Sequence, residues 1–82
     1  MQLSQREIDV LSTVIQNYIL TGQPVGSRTV AKKSRLNLSP ATIRNIMADL
    51  SERGFLAQPH TSAGRIPTTM AFRCYLDSIL TI

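Results

Sequence analysis

The chain has 82 residues, 43% of them hydrophobic and 17% charged, with a formal net charge of +4. That length gives one small domain with a modest core, and the composition is too apolar for a disordered chain. No apolar run nears the roughly 20 residues of a membrane span, and no apolar signal core follows the start; the single cysteine, Cys74, forms neither an internal disulfide nor a metal cluster, so a reducing cytoplasm is expected.

Taken in chain order, Ser4-Gln5-Arg6-Glu7 is a capping box, a hydroxyl followed three residues on by a glutamate. Ile8, Leu11, Ile15, Tyr18 and Ile19 then give a helical stripe, widened by Val10 and Val14, running to about Leu20 and stopping at Thr21-Gly22. This broad face is the one the other helices should pack on. Gly22-Gln23-Pro24-Val25-Gly26 reads as a turn with a very short extended piece at Val25. Ser27 is expected to cap a second helix from Arg28 to about Ser34, with Val30 and Ala31 inward. Arg28, Lys32, Lys33 and Arg35 stay at the surface as a basic cluster. A solvated face would carry the same charges, so the cluster gains meaning only from the helix next to it in the chain.

Leu36 and Leu38 should drop into the core and pin the next link. Ser39 is an N-cap, Pro40 suits the first helical position, Arg53 falls in the last turn and Gly54 is a natural terminator. Between them Ile43, Ile46, Met47 and Leu50 share one face. Opposite lie Ala41, Asn45, Ala48 and Glu52, with Thr42 and Arg44 on the shoulders. Alanines let a helix approach closely, and Arg, Asn and Thr carry the groups that read base edges. Helix, short turn, helix is the helix-turn-helix arrangement, with the second helix presented to DNA.

After Gly54 the period changes. Phe55-Leu56-Ala57 reads as a short strand, residues 58–64 as a polar loop, and Arg65-Ile66 as a returning strand: a hairpin "wing". Pro67-Thr68 opens a last helix whose Phe72, Tyr75, Leu76, Ile79 and Leu80 form one apolar face, with Arg73, Asp77 and Cys74 off it. The expected fold is mainly α with a small β-hairpin, a winged helix-turn-helix spanning residues 1–82. The apolar, uncapped end suggests an N-terminal fragment whose helix 67–82 leads into a further region.

Catalysis has little to work with. His60 is the only histidine, nothing brings it to Cys74, and the acids Glu7, Asp9, Asp49, Glu52 and Asp77 lack a paired pocket. No enzyme, cofactor or metal is expected. Nucleic acid is the better partner, because residues 1–22 sum to −1 while residues 23–82 sum to +5. Ser39, Thr42, Arg44 and Asn45 are the candidate base contacts: Arg44 suits guanine and Asn45 adenine. Ser27, Arg28, Lys32 and Lys33 suit phosphates, which fix register without reading sequence. His60, Thr61, Ser62 and Arg65 would let the wing touch backbone or minor groove. Two alternatives stay open on these residues. A winged helix could serve protein contact through the Phe72–Leu80 face, or bind RNA, although Tyr18, Phe55, Phe72 and Tyr75 look like core residues and not a stacking platform.

With these pieces in place, the sequence resembles the N-terminal domain of the HrcA family of bacterial heat-shock repressors. The resemblance rests on Gly22-Gln23-Pro24-Val25-Gly26-Ser27-Arg28-Thr29 and on the run from Ser39 to Leu50. It continues through Gly54-Phe55-Leu56, the run Pro59-His60-Thr61-Ser62-Ala63-Gly64-Arg65-Ile66-Pro67, and Tyr75. It implies a winged-helix repressor that binds double-stranded DNA at an inverted-repeat operator, the CIRCE element, ahead of chaperone operons. It also implies a bacterial, cytoplasmic, nucleoid-associated protein that acts as a homodimer and is kept active by a GroEL-type chaperonin. A larger C-terminal region with a GAF-like domain and a dimerisation part belongs to the same picture. Ile46 stands where family members often carry an acid, which points to a packing difference on the inward face.

Overall fold

The computed structural model describes residues 3–59 and 64–80, and in chain order they form α1 (Gln5–Thr21), α2 (Ser27–Lys33), α3 (Pro40–Glu52), β1 (Leu56–Ala57), β2 (Ile66–Pro67) and α4 (Thr69–Leu80). The capping box opens α1 as expected: the Ser4 hydroxyl accepts from the Glu7 N–H at 3.1 Å, and Glu7 Oε1 accepts from the Ser4 N–H at 2.8 Å. Gly22 closes the helix in the left-handed region, φ 67°, with its N–H donating to the Tyr18 carbonyl at 2.7 Å.

The buried face of α1 is Val10, Leu11, Val14 and Ile15. It meets Val30 of α2, and Ile43, Ile46, Met47 and Leu50 of α3, in one core with Val25, Phe55, Leu56 and Ala71. Burying each of Ile15, Ile43 and Leu50 stabilises the fold by roughly 1.5–3 kcal/mol. Leu36 and Leu38 pack half-buried against this core, as the turn between α2 and α3 requires. The expected stripe on α1 is offset, however. Ile8 and Tyr18 are half-buried, and Ile19 is 63% exposed, because Ile19 lies at the edge of the covered arc and in the uncovered last turn.

The second helix also begins differently. Ser27 does not cap it: Gly26 takes the N-cap position, extended at φ −91° and ψ 164°, and Ser27 is the first helical residue. The Gly26 carbonyl already accepts from the Val30 N–H at 3.2 Å, which carries the helix one residue earlier and frees the Ser27 hydroxyl from capping. Its C-terminal end comes at Lys33, with Ser34 as C-cap.

Gly54 ends α3 at φ 88°, a conformation that side chains with a Cβ rarely adopt. Its N–H donates to the Ser51 carbonyl at 3.1 Å and the Phe55 N–H to the Leu50 carbonyl at 2.9 Å, a Schellman closure. Arg53 is the C-cap residue and not part of the last helical turn. Because Phe55 is used in the closure, the strand starts one residue later than expected. β1 and β2 pair antiparallel, Leu56 with Pro67 and Ala57 with Ile66. Arg65 falls outside β2 and forms an antiparallel bridge with Val25, through reciprocal bonds of 2.8 and 2.9 Å. The extended piece at Val25 thus ties the turn before α2 to the root of the hairpin.

In α4 the apolar stripe and the packed face coincide only in part: Phe72 packs half-buried against the core as expected. Ala71 is fully buried, Cys74 and Tyr75 are half-buried against the core, and Leu76 is 54% exposed. Leu76 lies roughly 140° around the helix from Ala71. The small Ala71 lets α4 seat closely, and that seating turns Leu76 outward and Cys74 inward, contrary to the sequence expectation. The Thr68 hydroxyl accepts from the Ala71 N–H at 3.3 Å and donates to the Gly54 carbonyl at 2.7 Å, fixing the start of α4 against the end of α3. No helix among the described residues is long and apolar enough to cross a membrane.

Candidate nucleic-acid interface

The exposed face of α3 is organised from its N-terminus. Ser39, extended at φ −70° and ψ 156°, accepts from the Thr42 N–H at 3.2 Å through its hydroxyl oxygen and donates to Thr42 Oγ1 at 3.1 Å. One residue therefore both caps the helix and orients the Thr42 side chain. Ala41, Arg44, Asn45, Asp49 and Glu52 are exposed, while Thr42 and Ala48 are half-buried. The face is graded: Arg44 and Asn45 occupy its first half, Asp49 and Glu52 its second. A polyanion is attracted to the N-terminal half and repelled from the C-terminal half.

Beside that half, three arginines from separate segments come together. One surface hollow is lined by Ser27, Arg44, Met47, Gln58 and Arg65, and an adjoining one by Pro24, Gly26, Ser27, Arg28, Arg44 and Gly64. Ser27 and Arg44 border both, and no acidic side chain among the described residues lines either. The Val25–Arg65 bridge makes this possible, because it holds the hairpin root against the turn that launches α2. Gly64 permits the contact: a Cβ there would lie 2.9 Å from the Pro24 carbonyl carbon and 3.0 Å from the Val25 nitrogen.

Not every expected phosphate contact joins this group. Lys33 lies on the other flank, where with Arg35 it lines a hollow on the polar face of α1 beside Asp9, Ser12, Thr13 and Gln16. Lys32 is exposed on α2 and borders none of these hollows. His60, Thr61 and Ser62 lie outside the described residues.

Two features were not foreseen from sequence. Gln58 accepts through Oε1 from Arg65 Nη1 at 2.9 Å, across the hairpin. The register predicts this once known, since Ala57 opposite Ile66 sets residue 58 opposite residue 65. The second is an ion pair: Arg53 Nη1 donates to Glu7 Oε2 at 3.0 Å, with the Arg53 guanidinium carbon 5.9 Å from the centre of the Phe55 ring. Glu7 thereby joins the start of α1 to the end of α3. Its carboxyl is held below its ordinary value chiefly by the Ser4 backbone N–H; burial opposes this, and the Ser4 hydroxyl and Arg53 each lower it further by less.

The model of a family described as "Winged helix-turn-helix transcription repressor, HrcA DNA-binding" matches residues 2–78. The heat-inducible transcription repressor HrcA of Syntrophobacter fumaroxidans is 63% identical over 78 residues, 95% of this chain and 22% of that protein. Its counterpart in Moorella thermoacetica is 59% identical over 80 residues, 98% of this chain and 23% of the relative. A solved structure, a hypothetical protein at 2.2 Å resolution, superposes with a TM-score of 0.91 at 43% identity, over 96% of this chain and 25% of that one. The chain therefore spans about a quarter of the length of the proteins it matches. With a two-stranded hairpin following a helix-turn-helix, and with these relatives, the chain belongs to the HrcA family of winged helix-turn-helix transcription repressors.

Proposed function

We propose that this chain binds double-stranded DNA sequence-specifically, with the N-terminal half of α3 in the major groove and the hairpin on the adjacent backbone. The observation that carries the reading is that Arg28, Arg44 and Arg65 line two adjoining hollows sharing Ser27 and Arg44, beside the helix that also exposes Asn45. Asn45, Thr42 and Arg44 read base edges, with Ser39 setting Thr42. Ser27, Arg28 and Arg65 hold phosphates, and Lys32 and Lys33 add longer-range attraction.

Within a longer protein, the resemblance and the relatives support repression of chaperone operons through an inverted-repeat CIRCE operator. Two copies would occupy the repeat, one per half-site, in the bacterial cytoplasm at the nucleoid. A GroEL-type chaperonin would act on the longer protein. A second reading, protein contact without DNA, draws on exposed Ile19, Leu20 and Leu76.

Fluorescence anisotropy separates the two. A labelled inverted-repeat duplex and a scrambled one are titrated at two salt concentrations. Tighter binding to the repeat, with affinity falling by a log–log slope of about −0.9 per phosphate contact, is the expected result. No binding to either duplex at low salt would leave protein contact as the better reading.

A further inference from the structure

We propose that the hollow between α3 and the hairpin root is a seat for a single DNA phosphate, held by Arg65 and Ser27, and that Gln58 is the positioning residue that aims Arg65 into it. This rests on the DNA-binding reading and adds a site and a residue to it. The seat is built from both sides. The backbone of Arg65 is fixed by two hydrogen bonds to Val25, and its guanidinium by Gln58 Oε1 at 2.9 Å. Fixing both ends of a long side chain lowers the entropy lost when it grips a ligand. Ser27 also lines the hollow; α2 does not use its hydroxyl for capping, and it can donate to a phosphate oxygen.

The hollow has room for the group, at about 340 Å³, and opens beside Arg44 at the edge of the recognition face. Its polar lining is Ser27, Arg44, Gln58 and Arg65, which favours an anion. Met47 forms the floor and is itself nearly fully buried, so the seat rests on the core. A phosphate there would lock the hairpin and α3 to the same stretch of backbone, fixing the depth at which Arg44 and Asn45 meet the bases. Gln58 contributes no charge; its part in the seat is to hold the Arg65 guanidinium.

The test is a double-mutant cycle read by anisotropy on the inverted-repeat and scrambled duplexes across a salt series. Arg65→Ala should weaken both duplexes about tenfold and reduce the salt slope by about one contact. Gln58→Met, close in shape but without the acceptor, should weaken both two- to tenfold, with the melting temperature within about 2 °C of the parent. In the Arg65→Ala background Gln58→Met should have no further effect. The proposal is overturned if Gln58→Met changes nothing, or if it costs the same factor with and without Arg65. It also falls if the loss is confined to the inverted repeat, which would make Gln58 a base reader. Failure of the parent chain to bind either duplex at low salt would remove the DNA reading itself, and the seat with it.

Discussion

The two sides of this small domain are finished differently. On the α3–hairpin side the exposed side chains of α3 beyond Ala41 are polar or charged, and side chains are held in place: Thr42 by Ser39 and Arg65 by Gln58, with the Arg65 backbone bridged to Val25. On the α1–α4 side Leu20 is 80% exposed, Ile19 63% and Leu76 54%, with the Gln16–Tyr75 hydrogen bond between the helices. Both sides rest on the same core, so the difference is not one of stability. It lies in what each surface is built to meet: fixed donors suit a rigid, charged duplex, whereas bare aliphatics suit nothing that water or phosphate offers.

The largest test of this contrast concerns the core beneath α3. Leu50→Ala removes a fully buried side chain and should cost about 2–5 kcal/mol in urea unfolding. Leu20→Ala, on the exposed edge, should stay within about 0.5 kcal/mol. A large loss at Leu20 would mean that the apolar edge is packed in solution.

The next effects separate the two kinds of DNA contact. Asn45→Ala should lower affinity for the inverted repeat by about 1–3 kcal/mol while leaving random duplex nearly unchanged. Arg28→Ala should weaken both alike and flatten the salt slope by about one contact. Lys33→Ala should do less than Arg28→Ala, because Lys33 lies on the α1 flank beside Asp9. Equal losses from Arg28 and Lys33 would show that the basic cluster acts as a diffuse field.

Smaller effects test how α3 is anchored. Gly54→Ala forces a Cβ onto a residue at φ 88° and should cost about 1–2 kcal/mol, measured by thermal unfolding. The Met70 methyl, 2.9 Å from the added carbon, sits at the end of a flexible side chain and can move aside. Glu7→Gln should cost only tenths of a kcal/mol at neutral pH, since its partner Arg53 is partly solvated. Its signature is pH dependence. The lowered carboxyl of Glu7 stabilises the fold above its unfolded pKa of about 4.3, and that contribution is lost as pH falls through the folded value. Urea midpoints at pH 7 and pH 3 should therefore differ more in the parent than in Glu7→Gln.

Much of this architecture is legible in the sequence, and the reasons are local. Ser4, Ser39 and Gly54 act through residues three or four positions away, so their roles are written in short motifs. The inward face of α3 follows from spacing alone. What escaped depends on contacts distant in sequence. Arg53 reads as a last-turn cation, but Glu7, 46 residues earlier, claims it. Gln58 is one polar residue in a polar loop until the register places it opposite Arg65. Leu76 belongs to a regular stripe, yet the close seat of Ala71 rotates it away from the core. Ser27 comes after a glycine that begins the helix first.

The most direct measurement of which face binds is a two-dimensional amide NMR titration of the labelled chain with the inverted-repeat duplex. Shifts should concentrate at Ser27–Arg28, at Ala41 to Asn45 and at Gln58 and Arg65, with Ile19, Leu20 and Leu76 unmoved. Shifts centred on Ile19, Leu20 and Leu76, with Arg44 and Asn45 unmoved, would contradict the assignment of α3 as the DNA-reading helix.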